Sequence, residues 1–307
     1  MAKYIIKRLF YAVFVLFGVA TIVFCLTRLT GDPIAIMLPD GATDEQVAEL
    51  TAALGLDKPL LEQYFIYLSD LLRLNFGESL RYRSPTLGLI LERLPATLRL
   101  AGTAMLFALL LAVPCGILAA LKRGTAADQG IMALVMAGQA MPVFWAGILM
   151  IMLFAVQMKW LPTGGYGDGG LRYIILPAIA LGLHLMALVT RLLRSSLIEV
   201  MGADYIRTAK AKGLRAKLVV AKHALRNSML PVVTVVGLQM GALLGGSVVT
   251  ETVFAWPGVG QLLVQAITYR DFPLVQACIT MLAAVFVFVN LAVDIIYVFV
   301  DPRISYS

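Results

Sequence analysis

Side-chain chemistry needs partners at workable spacing, and the reactive residues of this chain are scattered. Its two histidines, His184 and His223, lie apart, and neither sits in an H-E-x-x-H pattern. Cys25, Cys115 and Cys278 lie inside or at the edge of apolar runs, with no C-x-x-C among them. Such cysteines are small packing residues, not a disulfide framework or a zinc site. Ser247 lies in Gly245-Gly246-Ser247-Val248-Val249 and lacks the closing glycine of a G-x-S-x-G turn. No Gly-Lys dipeptide occurs, so no Walker A loop can cradle phosphates. These residues support no catalytic centre, no metal site and no bound cofactor in this chain. If the chain does driven work, the energy enters through another polypeptide.

One stretch does carry a readable task. Residues 199–213 run Glu-Val-Met-Gly-Ala-Asp-Tyr-Ile-Arg-Thr-Ala-Lys-Ala-Lys-Gly. Asp204 is a plausible N-cap and Gly213 a plausible residue just past the helix end, with about two turns between them. Tyr205, Ile206 and Ala209 share one face, and Arg207 and Lys210 share another. A second helix follows, with an apolar stripe at Leu218, Ala221 and Leu225 and a basic stripe at Arg215, Lys222 and Arg226. A two-turn helix is marginal alone in water, so it must dock on something. Anionic lipid and a groove in a cytoplasmic partner protein are equally good occupants on these grounds.

The elements that position this stretch are membrane spans. The chain is 60% hydrophobic and 14% charged, with a mean hydropathy of +0.88. That excludes a disordered chain, a coiled coil and a secreted disulfide module. Six apolar runs suit spans of ~20 residues: approximately Leu9–Leu29, Leu98–Leu121, Ile131–Met158, Tyr173–Leu193, Met229–Thr250 and Ala277–Val300. The first follows Lys3, Lys7 and Arg8 but is longer than a signal-peptide core and precedes no A-x-A site, so it reads as an uncleaved span. The expected architecture is all-α, with six transmembrane helices. Lys and Arg favour one side: the N-terminus, the loop Lys122–Arg123, the segment 191–226 and Arg303. Both termini are therefore expected in the cytoplasm. The same placement accounts for the net charge of +7 without nucleic acid.

Polar residues within the spans are Gln139, Gln157, His184, Gln239, Asn290 and Asp294. They either hold the bundle together by interhelical hydrogen bonds or line a translocation path. Asn290 and Asp294 are one turn apart, and Asp294 stands alone as a carboxylate, which argues against a proton relay. Segment 30–97 is expected to form a small helical periplasmic subdomain, beginning with the turn Gly31-Asp32-Pro33. Within it, Thr43 to Gln46 opens a capped helix stopped by Gly55, and a second helix starts near Pro59. In that second helix Leu61, Tyr64, Phe65 and Leu68 are read as packing a small core. Trp160 is placed as an interfacial anchor before a glycine-rich loop. The stretch from Val253 to Asp271 is too polar and broken to span.

The ordered motifs resemble one family. They include Gly31-Asp32-Pro33, Leu54-Gly55-Leu56-Asp57-Lys58-Pro59, Phe76-Gly77-Glu78-Ser79, Met141-Pro142, Ile175-Leu176-Pro177-Ala178 and Arg194-Ser195-Ser196. The most specific is Asp204-Tyr205-Ile206-Arg207-Thr208-Ala209-Lys210-Ala211-Lys212-Gly213-Leu214, followed by His223-Ala224-Leu225-Arg226-Asn227. Glu251, Phe254, Trp256-Pro257-Gly258, Arg270-Asp271, Asn290-Leu291, Asp294 and Asp301-Pro302-Arg303 complete the set. Across nearly its whole length the chain resembles the first permease subunit of type I ATP-binding-cassette importers of the dipeptide/oligopeptide/nickel/glutathione family. The family's "EAA" pattern, laid on Gly213, is kept at Ala209, Gly213 and Leu225 and departs elsewhere, with Arg207 at the position of the glutamate.

The resemblance implies that residues 204–213 are a coupling helix seated in a groove of an ATPase subunit. Asp204, Tyr205, Arg207, Thr208, Ala209, Lys210, Gly213 and Leu225 are then its coupling residues. It implies a permease core over 98–307 with a cytoplasmic coupling loop at 194–228, after a first span in 1–29. The implied partners are a second homologous permease, two cytoplasmic ATP-binding subunits that hold ATP and Mg, and a periplasmic or lipid-anchored solute-binding protein, all working in membrane lipid. Gln139, His184, Gln239, Asn290 and Asp294 become candidate path or bundle residues. Phe254, Trp256, Arg270 and Asp271 become candidate contacts for the binding protein. The implied cargo is dipeptides or oligopeptides, with glutathione, nickel or its chelate, or another small solute as alternatives. A carrier that needs no ATPase is the rival from a different class.

Overall fold

A chain this apolar satisfies its backbone in lipid by forming helices. The computed structural model describes residues 2–29, 43–53, 55–167 and 169–300. The expected turn Gly31-Asp32-Pro33, Leu54 of the second motif and the closing Asp301-Pro302-Arg303 lie outside the described residues. The helices are α1 (Ala2–Leu29), α2 (Asp44–Ala53), α3 (Leu60–Leu72), α4 (Thr86–Leu121) and α5 (Ala126–Ala140). They continue with α6 (Val143–Gln157, its second half π-helical), α7 (Leu171–Met201), α8 (Asp204–Ala211), α9 (Ala216–Val253), α10 (Val259–Thr268) and α11 (Phe272–Val300). Among the described residues the sole β feature is an isolated bridge between Glu78 and Pro85.

Among the described residues five helices are long and apolar enough to cross a membrane: α1, α4, α7, α9 and α11. A sixth span exists if α5 and α6 count as one, and here the structure corrects the straight run Ile131–Met158. The two halves meet at 107°. The cause is local. Pro142 pushes Met141 out of the helical region, to ψ 130, and the helix must end and restart. The second span also begins earlier than its apolar run, since α4 starts at Thr86 rather than near Leu98.

The described residues divide into two units, one running to Thr97 with Pro257–Ala292, the other Leu98–Trp256 with the end of α11 from Val293. In the first, the core gathers Ile90 of α4, Val259, Leu262 and Ala266 of α10, and Leu274, Ala277 and Cys278 of α11. The α2 cap forms as read: the Gln46 amide donates to Thr43 Oγ1 at 3.3 Å, and the Thr43 amide donates to Gln46 Oε1 at 3.1 Å. Gly55 ends that helix at φ +61. The small core expected for α3 is different. Leu61 and Phe65 are exposed, while Tyr64 and Tyr67 pack on Phe24 of α1, ring centroids 5.2 and 5.7 Å apart. A 13-residue helix has two faces, and this one uses its tyrosine face against α1.

In the second unit α7 is the central element. Of its apolar window 61% is buried, against 17% for α1 and 22% for α11. Small residues make this possible, because lipid supplies no hydrophobic drive between helices and close backbone packing must replace it. Ala101, Ala104, Ala108, Ala112 and Ala119 of α4 are buried. A Cβ on Gly182 of α7 would stand 2.7 Å from the Ala104 carbonyl oxygen, so only glycine permits that crossing.

Candidate functional site

The predicted short helix exists as α8, and its two ends differ in kind. At the start Ala203, not Asp204, is the N-cap, and no side chain caps the helix. Asp204 lies one position inside, where a carboxylate favours the positive end of the helix dipole, and its Oδ1 is 3.5 Å from Arg207 Nη1. At the other end the sequence reading holds. Gly213 adopts φ +76, its amide donates to the Lys210 carbonyl at 2.9 Å, and the Leu214 amide donates to Ala209 at 3.4 Å. These two bonds make a Schellman motif, which needs a left-handed residue at this position. No heavy atom lies within 4 Å of where a Gly213 Cβ would be, so the backbone conformation alone demands glycine here.

The helix docks on its own chain. Ile206 and Ala209 are buried in a cluster with Leu197 of α7 and with Val219 and Ala224 of α9, flanked by Ile117 and Ala120 of α4. Burying Ile206 is worth about 1.5–3 kcal/mol, enough to hold a helix too short to persist alone. A second tie runs from Asn227 Nδ2, which donates to Tyr205 Oη at 2.9 Å. Tyr205, read on the same face as Ile206 and Ala209, is exposed at its edge, and the opposite side stays open: Asp204, Arg207, Thr208 and Lys210 are exposed. Ala209 therefore belongs to the anchoring face, with Ile206 as read from the sequence.

The second helix is also re-registered. Leu218 and Ala221 of the expected apolar stripe are exposed, and Leu225 is half-buried. The buried pair is Val219 and Ala224, five residues apart. Residues Val219–Ala224 are π-helical. That winding brings i and i+5 to one side, where a 3.6-residue reading selects i+3 and i+4. The basic residues Arg215, Lys222 and Arg226 remain on the open surface.

The stretch 252–271 behaves unlike a surface loop. Phe254 and Trp256 are wholly buried. The Gly165 amide donates to the Phe254 carbonyl at 2.7 Å, and Tyr166 packs edge-on to Trp256 at 4.8 Å. Arg99 donates through Nη2 to the Gly169 carbonyl at 2.6 Å, so the glycine-rich loop is strapped over the Phe254–Trp256 turn. In the other unit Asp271 is buried as well. Its Oδ1 accepts the Leu274 amide at 3.2 Å and caps α11. Its Oδ2 accepts the Ser79 hydroxyl and, at 3.1 Å, the Arg81 amide. Of the four residues assigned to a binding-protein contact, Arg270 alone is exposed. Phe254, Trp256 and Asp271 have their side chains committed inside.

The polar span residues lie on five helices, with Gln157 at the end of α6. Gln139 (α5) and Gln239 (α9) are half-buried, and His184 (α7) is exposed. Asn290 (α11) donates to the Phe286 carbonyl of its own helix at 2.9 Å, and Asp294 is half-buried one turn on. One ionic site was not foreseen. Arg194 of α7 donates through Nε and Nη2 to the two oxygens of Asp128, at 2.6 and 2.7 Å, and Asp128 is 3% exposed. An acid just after a short loop and the second of two arginines, Arg191 and Arg194, that end an apolar run were the available signal.

Comparisons with known proteins match this architecture. The family described as binding-protein-dependent transport system inner membrane component matches residues 112–306, and that of the N-terminal part of such membrane components matches residues 1–101. The chain is 42% identical over 335 residues to a di/tripeptide transport system permease protein, DppB, of Pseudomonas aeruginosa, with both chains fully covered. It is 42% identical over 309 residues to the glutathione transport system permease protein GsiC of Escherichia coli K12, again with full coverage of both. A chain of the MetNI methionine ABC transporter, in an inward-facing crystal structure, aligns with a TM-score of 0.55 at 20% identity, over 69% of this chain and 96% of that one.

Proposed function

The chain belongs to the family of binding-protein-dependent transport system inner membrane components, and from that membership and the geometry of α8 we propose that it is one permease of an ATP-driven importer of dipeptides or oligopeptides. It is a multi-pass inner-membrane transport subunit. The finer reading is that both termini and α8 face the cytoplasm and that residues 30–97 belong to the periplasmic side. A second permease completes the path. Two ATP-binding subunits, which hold the ATP and Mg, push on α8, and a solute-binding protein delivers the cargo. This is alternating access driven from outside the chain.

The observation that carries the proposal is the two-sidedness of α8. Its Ile206–Ala209 face is fixed to α7 and α9, and its Arg207, Thr208 and Lys210 face is open. A lever needs both: a rigid root in the moving body and a free surface for the driver. For the binding protein, exposed Arg270, with Tyr269 beneath the Arg81 guanidinium at 4.5 Å, forms the outer contact surface. Buried Asp271 shapes it from below.

The test is a photo-cross-linking residue at position 208 in the assembled importer. Capture of the ATP-binding subunit is the expected result; its absence, with capture at position 215 instead, would move the contact to the turn before α9. The 42% identity to a glutathione permease supports a second cargo. Competition by glutathione for dipeptide uptake separates the two.

A further inference from the structure

The Asp128–Arg194 pair stands apart from every feature used so far. Its geometry is that of a fork: Nε and Nη2 of Arg194 meet Oδ1 and Oδ2 of Asp128 at 2.6 and 2.7 Å. The Gly124 amide adds a third donor to Oδ2 at 2.9 Å. The Asp128 side chain is 4% exposed and that of Arg194 25%. Three segments meet there: the turn after α4, where Gly124 takes φ +79, the first turn of α5, and the last third of α7. Leu197, one turn on from Arg194, is a member of the cluster that holds Ile206 and Ala209 of α8, and Ile117 and Ala120 near the end of α4 flank that cluster.

Stability is a poor reason for such a pair. Apolar residues of similar volume are commonly as stable as a buried ion pair or more so, whereas geometry and register are what a bidentate pair specifies. α5 is also half of the sharply bent α5–α6 element. A rigid joint at its start would pass a displacement of α7 directly into that bend.

We propose that Asp128 and Arg194 are positioning residues that lock the Gly124 turn, the start of α5 and the end of α7 into the platform on which α8 is rooted, so that a push on α8 reaches α5 and α6. This rests on the reading of α8 as the driven lever. The pair touches no cargo and acts through the helices it joins.

The experiment compares uptake per ATP hydrolysed in the purified importer, complete with its ATP-binding subunits, in sealed vesicles. Three forms are measured: the native chain, Arg194→Lys, and the double apolar variant Asp128→Leu with Arg194→Met. Lysine keeps the charge and loses the fork. The apolar pair keeps the packing and loses the joint. Both variants are expected to assemble and hydrolyse ATP, with uptake per ATP about tenfold lower, within the usual range of coupling between linked sites. An apolar variant with native uptake per ATP overturns the proposal, because packing alone would then be sufficient. Failure of both variants to assemble also overturns it, since it assigns the pair to folding. If the native importer itself shows no ATP-dependent uptake, the lever reading fails first, and that outcome is distinct from either of these.

Discussion

Gly213 is a position where a single side chain decides a backbone path. The residue sits at φ +76 with open space around its missing Cβ. An L residue there costs about 1–2 kcal/mol from conformation alone, and a β-branched one adds χ1 restriction. The Schellman bonds from Gly213 and Leu214 to Lys210 and Ala209 would loosen, and the end of α8 would fray. Gly213→Val is therefore expected to insert normally yet lose most uptake while ATP hydrolysis persists, measured on the same vesicles. Unchanged uptake would remove Gly213 from the coupling role. Asp204 and Gly213 also illustrate what single residues reveal. The glycine's place follows from a backbone rule that few other residues satisfy. The aspartate's place differs by one position, because Ala203 already turns the chain at ψ 150 and the carboxylate gains as much inside the first turn.

Two helices separate what periodicity can reveal from what it cannot. The face of α8 with Ile206 and Ala209 was legible, because an eight-residue α-helix obeys the 3.6 period. The inner face of α9 was not. A π-helical segment changes the period, and Val219 and Ala224 take the places that Leu218 and Leu225 would hold in an α-helix. The kink between α5 and α6 was written in Met141-Pro142, yet an apolar run reads as straight because hydropathy carries no direction. The burial of Phe254, Trp256 and Asp271 was hidden for another reason: aromatic and acidic residues in a loop look solvent-facing until their partners, the glycine strap and the Ser79 turn, are known. At this scale the faces of α8 make opposite predictions. Ala209→Glu buries an unpaired charge at a site only 7% exposed, with a penalty of about 3 kcal/mol or more. The 204–226 hairpin should then become sensitive to protease in membranes. Arg207→Glu, on the open face, should leave protease resistance intact and weaken retention of the ATP-binding subunits during purification. Equal protease patterns for the two variants would contradict the assignment of faces.

For the molecule as a whole, the apolar composition, the span count and the family motifs converge on one architecture, and the aligned fold of a methionine transporter chain agrees with it. The chain's own side chains supply helix crossings and the Asp128–Arg194 joint; the lever role of α8 is the proposal. The source of energy lies in the proposed ATP-binding partners. Dipeptide accumulation in sealed vesicles measures this division of labour most directly. Vesicles that hold the full importer, its binding protein and ATP on the α8 side are expected to concentrate the peptide. Vesicles that hold the two permeases without the ATP-binding subunits are expected to show none. Uphill accumulation by the permeases alone would contradict the central claim that this chain is a gate driven through α8.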